Sequence, residues 1–169
     1  MLGLTRMHIR QATATRHECI GKILAAAYGP VMQRMTNADA TAFAESLSNT
    51  VVRYGSSGTW LLAELLDQPV GAVAFFPPGS TKHPLFQGNF AHIQLLGVVP
   101  GQTRGGIAQS LMAECFRMAA NSGASALLLQ TSELMPEARR LYERLGFNLR
   151  RQLPPVWGAP TYLYAKSEA

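Results

Sequence analysis

Residues 95–111 read LLGVVPGQTRGGIAQSL. An apolar run ends at Pro100, a glycine-containing loop follows, and Ile107, Ala108, Leu111, Cys115 and Ala119 then recur along one helical side. The segment therefore reads as buried strand, loop and amphipathic helix. The first N–H groups of such a helix have no partner within it, and its dipole places partial positive charge there. That arrangement suits an anion. Gly105 and Gly106 carry no Cβ, so a phosphate could come close to the backbone. Neither G-x-x-x-x-G-K-[ST] nor G-x-G-x-x-G is present, which argues against the ordinary nucleotide-binding folds.

Downstream, residues 126–147 read ALLLQTSELMPEARRLYERLGF, a strand followed by a strongly patterned helix. Pro136 suits the helix's first turn, and Ala138, Leu141, Tyr142 and Leu145 fall at i, i+3, i+4 and i+7. Gly146 stands where a left-handed C-terminal cap belongs. Strands at 147–152 and 161–165, separated by the Pro154-Pro155 loop, complete the chain. Upstream, residues 8–12 form a short candidate strand, and Thr15 with Glu18 makes an S/T-x-x-E capping pattern. Ile20, Ile23, Leu24 and Ala27 then mark a helix that Tyr28-Gly29-Pro30 stops. Asn37 can cap a second helix with Ala40, Phe43, Ala44 and Leu47 on one face. Runs at 59–66 and 70–76 around Asp67-Gln68-Pro69 read as a hairpin. Residues 77–88 are a loop, and 90–99 a buried strand.

Together, the two quoted segments resemble the GNAT superfamily of N-acetyltransferases. The family's cofactor motif, Q/R-x-x-G-x-G/A, falls on Thr103, Gly106 and Ala108, with Thr103 in place of the usual Gln or Arg and Arg104 where Gly is common. The later pattern A-x-x-L-Y-x-x-x-G-F is met by Ala138, Leu141, Tyr142, Gly146 and Phe147. Met135 stands where the family often has Asn. The resemblance implies an α/β (α+β) fold: a single domain over residues 1–169, with a mixed, mostly antiparallel sheet of about six or seven strands. It further implies helices on both faces and a cofactor cleft where strands four and five splay apart.

The same resemblance implies transfer of an acetyl group from acetyl-CoA to a primary amine by direct attack on the thioester. Main-chain groups of Leu96 and Val98 would hold the pantetheine and acetyl carbonyl. Thr103, Arg104, Gly105, Gly106, Ile107 and Ala108 would cradle the pyrophosphate. Tyr142 would protonate the departing thiolate; a phenol titrating near 10 is a reasonable acid for that task. His92, at the family's strand-four base position with Gln94 on the same face, is the candidate base, and a histidine titrates near 6.5.

Composition bounds the partners. At 169 residues with 47% hydrophobic and 15% charged residues, the chain is long and apolar enough for one buried core. Its apolar runs are too short to span a bilayer, and no basic stretch followed by a long apolar one marks a secretory leader. Cys19 and Cys115 lie far apart in helical patterns, so no disulfide is expected and a cytoplasmic setting is. The net charge of +5 comes from scattered arginines not interleaved with aromatics, which argues against nucleic acid. Arg139, Arg140, Arg144, Arg150 and Arg151 read as a solvated helix face and its exit. No His/Cys/Asp/Glu cluster has metal-ligand spacing. The expected acceptor is a small-molecule amine, with an aromatic or apolar one favoured over a polyamine because residues 77–89 and 153–164 carry aromatics and few carboxylates. A protein, peptide or aminoacyl-tRNA acceptor, a non-catalytic acyl-CoA-binding domain and a homodimer remain open on sequence alone.

Overall fold

The computed structural model describes residues 6–102 and 105–167, so Thr103 and Arg104 of the expected cofactor loop lie outside the described residues. Seven strands and five α-helices follow one another along the chain. They are β1 (Met7–Ala12), α1 (His17–Ala27), α2 (Gly29–Met32), α3 (Asn37–Ser57), β2 (Thr59–Leu65), β3 (Gln68–Phe76) and β4 (Phe90–Val98), then α4 (Ile107–Asn121), β5 (Ala126–Ser132), α5 (Pro136–Arg144), β6 (Asn148–Val156) and β7 (Ala159–Ser167). The strands form one sheet in the order β1-β2-β3-β4-β5-β7-β6. Every neighbouring pair is antiparallel except β4 and β5.

Two apolar layers sandwich this sheet, as the strand runs without polar alternation require. On one face, Ile20 and Leu24 of α1 and Phe43, Leu47 and Val51 of α3 pack on Trp60, Leu62, Ala72 and Ala74. On the other, Leu111, Met112 and Cys115 of α4 and Tyr142 of α5 pack on Leu61, Val73, Ile93, Leu127 and Leu129. Leu24 and Leu111 are wholly buried, and burial of a side chain of that size contributes roughly 1.5–3 kcal/mol. Among the described residues, no helix is long and apolar enough to cross a membrane.

Several expectations of local structure need correction. Thr15 and Glu18 do not form a capping box; residues Ala14–Arg16 take a tight 3₁₀ turn, and α1 starts behind it without a side-chain cap. The cap of α3 is Thr36 rather than Asn37, its Oγ1 accepting the Asp39 N–H at 3.1 Å. The α3 helix also runs ten residues past Leu47, ending at Ser57. The β2–β3 turn is Leu66-Asp67, both with positive φ, a two-residue geometry that matches strand twist. Pro154 and Pro155 lie within β6, at a register shift near its end, and not in a separate loop.

Candidate active site

The site begins where β4 stops being a complete strand. Phe90, Ala91 and His92 pair with Ala126, Leu127 and Leu128 of β5, and the pairing ends there. Beyond that point β5 keeps its other neighbour, β7, as far as Ser132 and Thr161. On its other side β4 stays on β3, but with an irregularity: Gln94 faces Ala74 and Gly97 faces Ala72. Leu95 and Leu96 together therefore oppose Val73 alone, a bulge that bends a strand. Leu95 sits at φ +53° within it, a region that non-glycine residues seldom adopt. The two strands part at this bend.

Backbone groups along the freed edge have a defined direction. Val99 gives its N–H to the Val70 carbonyl of β3 at 2.9 Å. Strand alternation then turns the Leu96 and Val98 N–H groups to the opposite edge, into the cleft. Gly97 lets α1 approach closely: a Cβ there would lie 3.0 Å from both Ala27 and Leu24. That approach brings Tyr28, at the C-terminal end of α1, to the strand, where its Oη donates to the Leu96 carbonyl at 3.0 Å. Burial drives the Tyr28 pKa up, and the neighbouring Tyr54 adds to the effect. On sequence Tyr28 marks only a helix end; its hydrogen-bond partner is 68 positions away, so no local signal could reveal it.

At one end of the cleft stands the start of α4. Gly106 is its N-cap residue at φ +75°, no side chain caps the helix, and its first turn holds no acidic residue. Added Cβ atoms at Gly105 and Gly106 would find nothing closer than 3.7 Å and 3.8 Å. Gly105 gives its N–H to the Gln102 carbonyl at 3.4 Å, and the helix start at Gly106 borders a cavity of about 410 Å³ whose lining includes Val98, Ala108, Gln109, Glu137 and Arg144. Arg144 is therefore more than part of a solvated face. Arg139 likewise lies over the Tyr162 ring at 4.2 Å and donates to Tyr164 Oη at 3.2 Å.

At the other end lies a cavity of about 430 Å³ between α3, the parted strands and the β6–β7 turn. Tyr142 from α5 reaches its wall, its ring edge-on to Phe147 at 5.7 Å. Burial raises the Tyr142 pKa, and Tyr28 and Cys115 push the same way, so its hydroxyl keeps its proton. Thr131 lines the same cavity, and its buried Oγ1 has no hydrogen-bond partner among the described residues. Sequence reasoning did not single out Thr131, Arg53 or Tyr54, all of which border this space.

His92 lies elsewhere. Its ring is only 3% exposed and is stacked between Phe76 and Phe86, with centroids at 4.5 Å and 3.9 Å. It borders a separate cavity of about 310 Å³, which shares Gln94, Arg53 and Tyr54 with the larger one. Burial, helped by the charge of His83, lowers its pKa to about 4. The expected placement of Gln94 beside it on one face is compatible with this shared border.

The sequence profile of the acetyltransferase (GNAT) family matches residues 24–147. The chain belongs to that family. Solved GNAT-fold structures agree in architecture. The PaiA N-acetyltransferase from Thermoplasma acidophilum, in complex with coenzyme A, is 15% identical, with 96% of this chain and 99% of that one covered at a TM-score of 0.74. The GNAT-family acetyltransferase from Staphylococcus aureus Mu50 gives 16% identity, 96% and 99% coverage and a TM-score of 0.72. The GNAT-family acetyltransferase from Brucella melitensis, in complex with acetyl-CoA, gives 18%, 98% and 90%, and 0.62. No curated protein matches the chain in sequence. The family's seven-stranded, mostly antiparallel sheet with helices on both faces is present, split between its fourth and fifth strands. Among the described residues, no group of three or more His, Cys, Asp or Glu side chains is placed to hold a metal.

Proposed function

We propose that this GNAT domain transfers the acetyl group of acetyl-CoA to a primary amine of a small molecule. The observation that carries the reading is the parted strand pair, with an uncapped glycine-led helix at one end and the Tyr142 hydroxyl at the other. The residues present fit acetyl-CoA. The N–H groups from Gly106 to Ala108 are proposed to take a pyrophosphate, and the N–H groups of Leu96 and Val98 face the cleft where a pantetheine amide would need partners. Thr103 and Arg104 are assigned to the same cradle from their place in the motif. The orphaned Thr131 hydroxyl supports a polar ligand or water at the reacting end. Acetyl-CoA supplies an acetyl thioester that an uncharged amine can attack.

The chain's own groups do the rest. Tyr142 holds at Oη the proton that a departing thiolate requires; burial keeps that proton in place and also makes the phenol a weaker acid than a free one. Tyr28 holds the bulged strand in place through the Leu96 carbonyl. His92, neutral above pH 4 or so, is too weak a base to strip an alkylammonium titrating near 10. Its proposed part is that of a neutral, packed ring at the border of the site and not that of the base. A small acceptor is favoured because the cavity is about 430 Å³ and is bordered by α3, the parted strands and the Trp157 turn. Measuring coenzyme A release with panels of amines, peptides and aminoacyl-tRNA tests the reading. Turnover confined to peptides or tRNA would overturn the small-molecule part, and no turnover with acetyl-CoA binding intact would leave a binding domain.

A further inference from the structure

The 430 Å³ cavity has an unusual lining for an amine site. None of its lining residues is Asp, Glu, His or Lys, and Arg53 is the one charged group among them. Among the described lining residues an ammonium ion would meet no carboxylate and no base, while Arg53 would repel it; Asp39, at Gly158, is not part of that lining. The cavity therefore disfavours polyamines and other strongly basic amines. It suits a nitrogen that is already uncharged near neutral pH.

Arg53 carries the second half of the argument. It stands on the α3 face that repeats through Phe43, Ser46, Leu47, Thr50 and Tyr54, all lining the cavity. The Ser46 and Thr50 hydroxyls of that face donate to backbone, to the Phe43 and Ser46 carbonyls, both at 2.9 Å. The Arg53 guanidinium has no ion-pair partner among the described residues, and its Cζ lies 5.4 Å from the Tyr54 ring centroid. Exposed at the cavity border, with the Tyr54 ring beside it, it is a fork suited to a carboxylate.

An independent feature describes the body of the acceptor. Trp157 and Gly158 make the β6–β7 turn, both with positive φ, and Trp157 is at +53°. A bulky residue seldom adopts that conformation and is strained in it. The turn places the indole edge-on to Phe43 at 5.7 Å, and Phe43 meets Tyr28 at 5.6 Å. Three rings thus form one continuous aromatic wall, opposite no cationic side chain but Arg53.

We propose that the acceptor is a weakly basic aromatic amine bearing a carboxylate, its ring on the Trp157–Phe43–Tyr28 wall and its carboxylate on Arg53. The inference rests on the acetyltransferase reading above and names its substrate class. The test uses the whole chain with acetyl-CoA and four acceptors: 4-aminobenzoate, its neutral isostere 4-aminobenzamide, benzylamine and spermidine. The expected result is a kcat/KM for 4-aminobenzoate about tenfold above that for 4-aminobenzamide, the difference lying mainly in KM. In Arg53→Gln the ratio should fall to within about twofold, since one charged contact accounts for it. Trp157→Ala should lower both aromatic rates. The acetyl-CoA-induced rise in melting temperature is followed in every preparation, which shows that each variant is folded. Equal rates for the two aminobenzoyl compounds, or a preference for benzylamine or spermidine, overturns the acceptor assignment. If acetyl-CoA stabilises the protein and neither aromatic amine is acetylated, the assignment falls and the enzymatic reading stands. If acetyl-CoA causes no shift, both fall.

Discussion

β4 is two different strands joined at a bend. Its first part, from Phe90 to His92, is paired with β5, and at His92 with β3 as well, and its one titratable side chain is packed between two phenyl rings. Its second part, from Leu95 to Val98, has lost β5, carries a residue at positive φ and turns amides into a cleft. The difference separates two kinds of polar group. Where the sheet is complete, a histidine is a packed ring with its basicity suppressed; where the sheet is open, the polar atoms are left for something else to satisfy.

The contrast can be broken most severely at the open end. Gly106→Asp would place a carboxylate at the start of α4, at a positive φ that Asp adopts at some cost but more readily than most residues. The unliganded protein should keep its fold, while acetyl-CoA affinity should fall by about 10³-fold, from repulsion in the cradle. Calorimetric titration checks this, and an unchanged affinity would remove the cradle from the account. Next in size is Tyr142→Phe, which deletes a hydroxyl and little volume. Turnover should drop by roughly 10²-fold or more, with the acetyl-CoA-induced thermal shift retained. Unchanged turnover when chemistry limits the rate would make Tyr142 a packing residue.

The closed part of the strand should respond to pH and hardly to catalysis. The folded pKa of His92, about 4, lies below the unfolded value near 6.5. The unfolded chain therefore binds the extra proton first as pH falls, so this contribution is complete above pH 6.5 and is lost on the way down to 4. Between pH 7 and pH 5 the wild type should lose about 2 kcal/mol that His92→Gln does not lose. Denaturant unfolding at the two pH values measures it, and parallel losses in both proteins would contradict the buried neutral ring. In kcat/KM, the ascending limb belonging to His92 is expected near pH 4. With two acceptors of different basicity, a limb near 6–7 common to both and absent from His92→Gln would instead restore a direct base role. The smallest effect is expected for Tyr28→Phe, which frees the Leu96 carbonyl. Stability should fall by about 1 kcal/mol, with a KM rise for acetyl-CoA larger than the change in kcat; no change in either would mean the bulge holds itself.

What the sequence disclosed and what it withheld divide along the same line. The α4 start was legible because its ingredients, Gly105, Gly106 and the apolar stripe after them, are adjacent in the chain. Tyr142 was legible for the same reason, lying inside a nine-residue helix bounded by Pro136 and Gly146. His92 was placed on the right strand and face, yet its environment comes from Phe76 and Phe86, neither of which alternation along β4 can announce. The cavity's charge was invisible for the same reason. Arg53 is an exposed residue of a long helix, and only the fold shows that it borders the cavity to which Trp157 also contributes.

The bulge at Leu95 also changes the parity of the strand. Before it, His92 and Gln94 share the even-numbered side; after it, Leu95 and Gly97 pack with the same layer, so the odd-numbered positions take over. The strand is one residue longer than its neighbour needs. An in-frame loss of that single codon would restore an unbroken alternation against β3 and let β4 run straight along β5. Position 95 is thus a place in this gene where a deletion should make a tidier sheet and destroy the enzyme, and where selection must hold the length of the chain rather than the identity of a side chain.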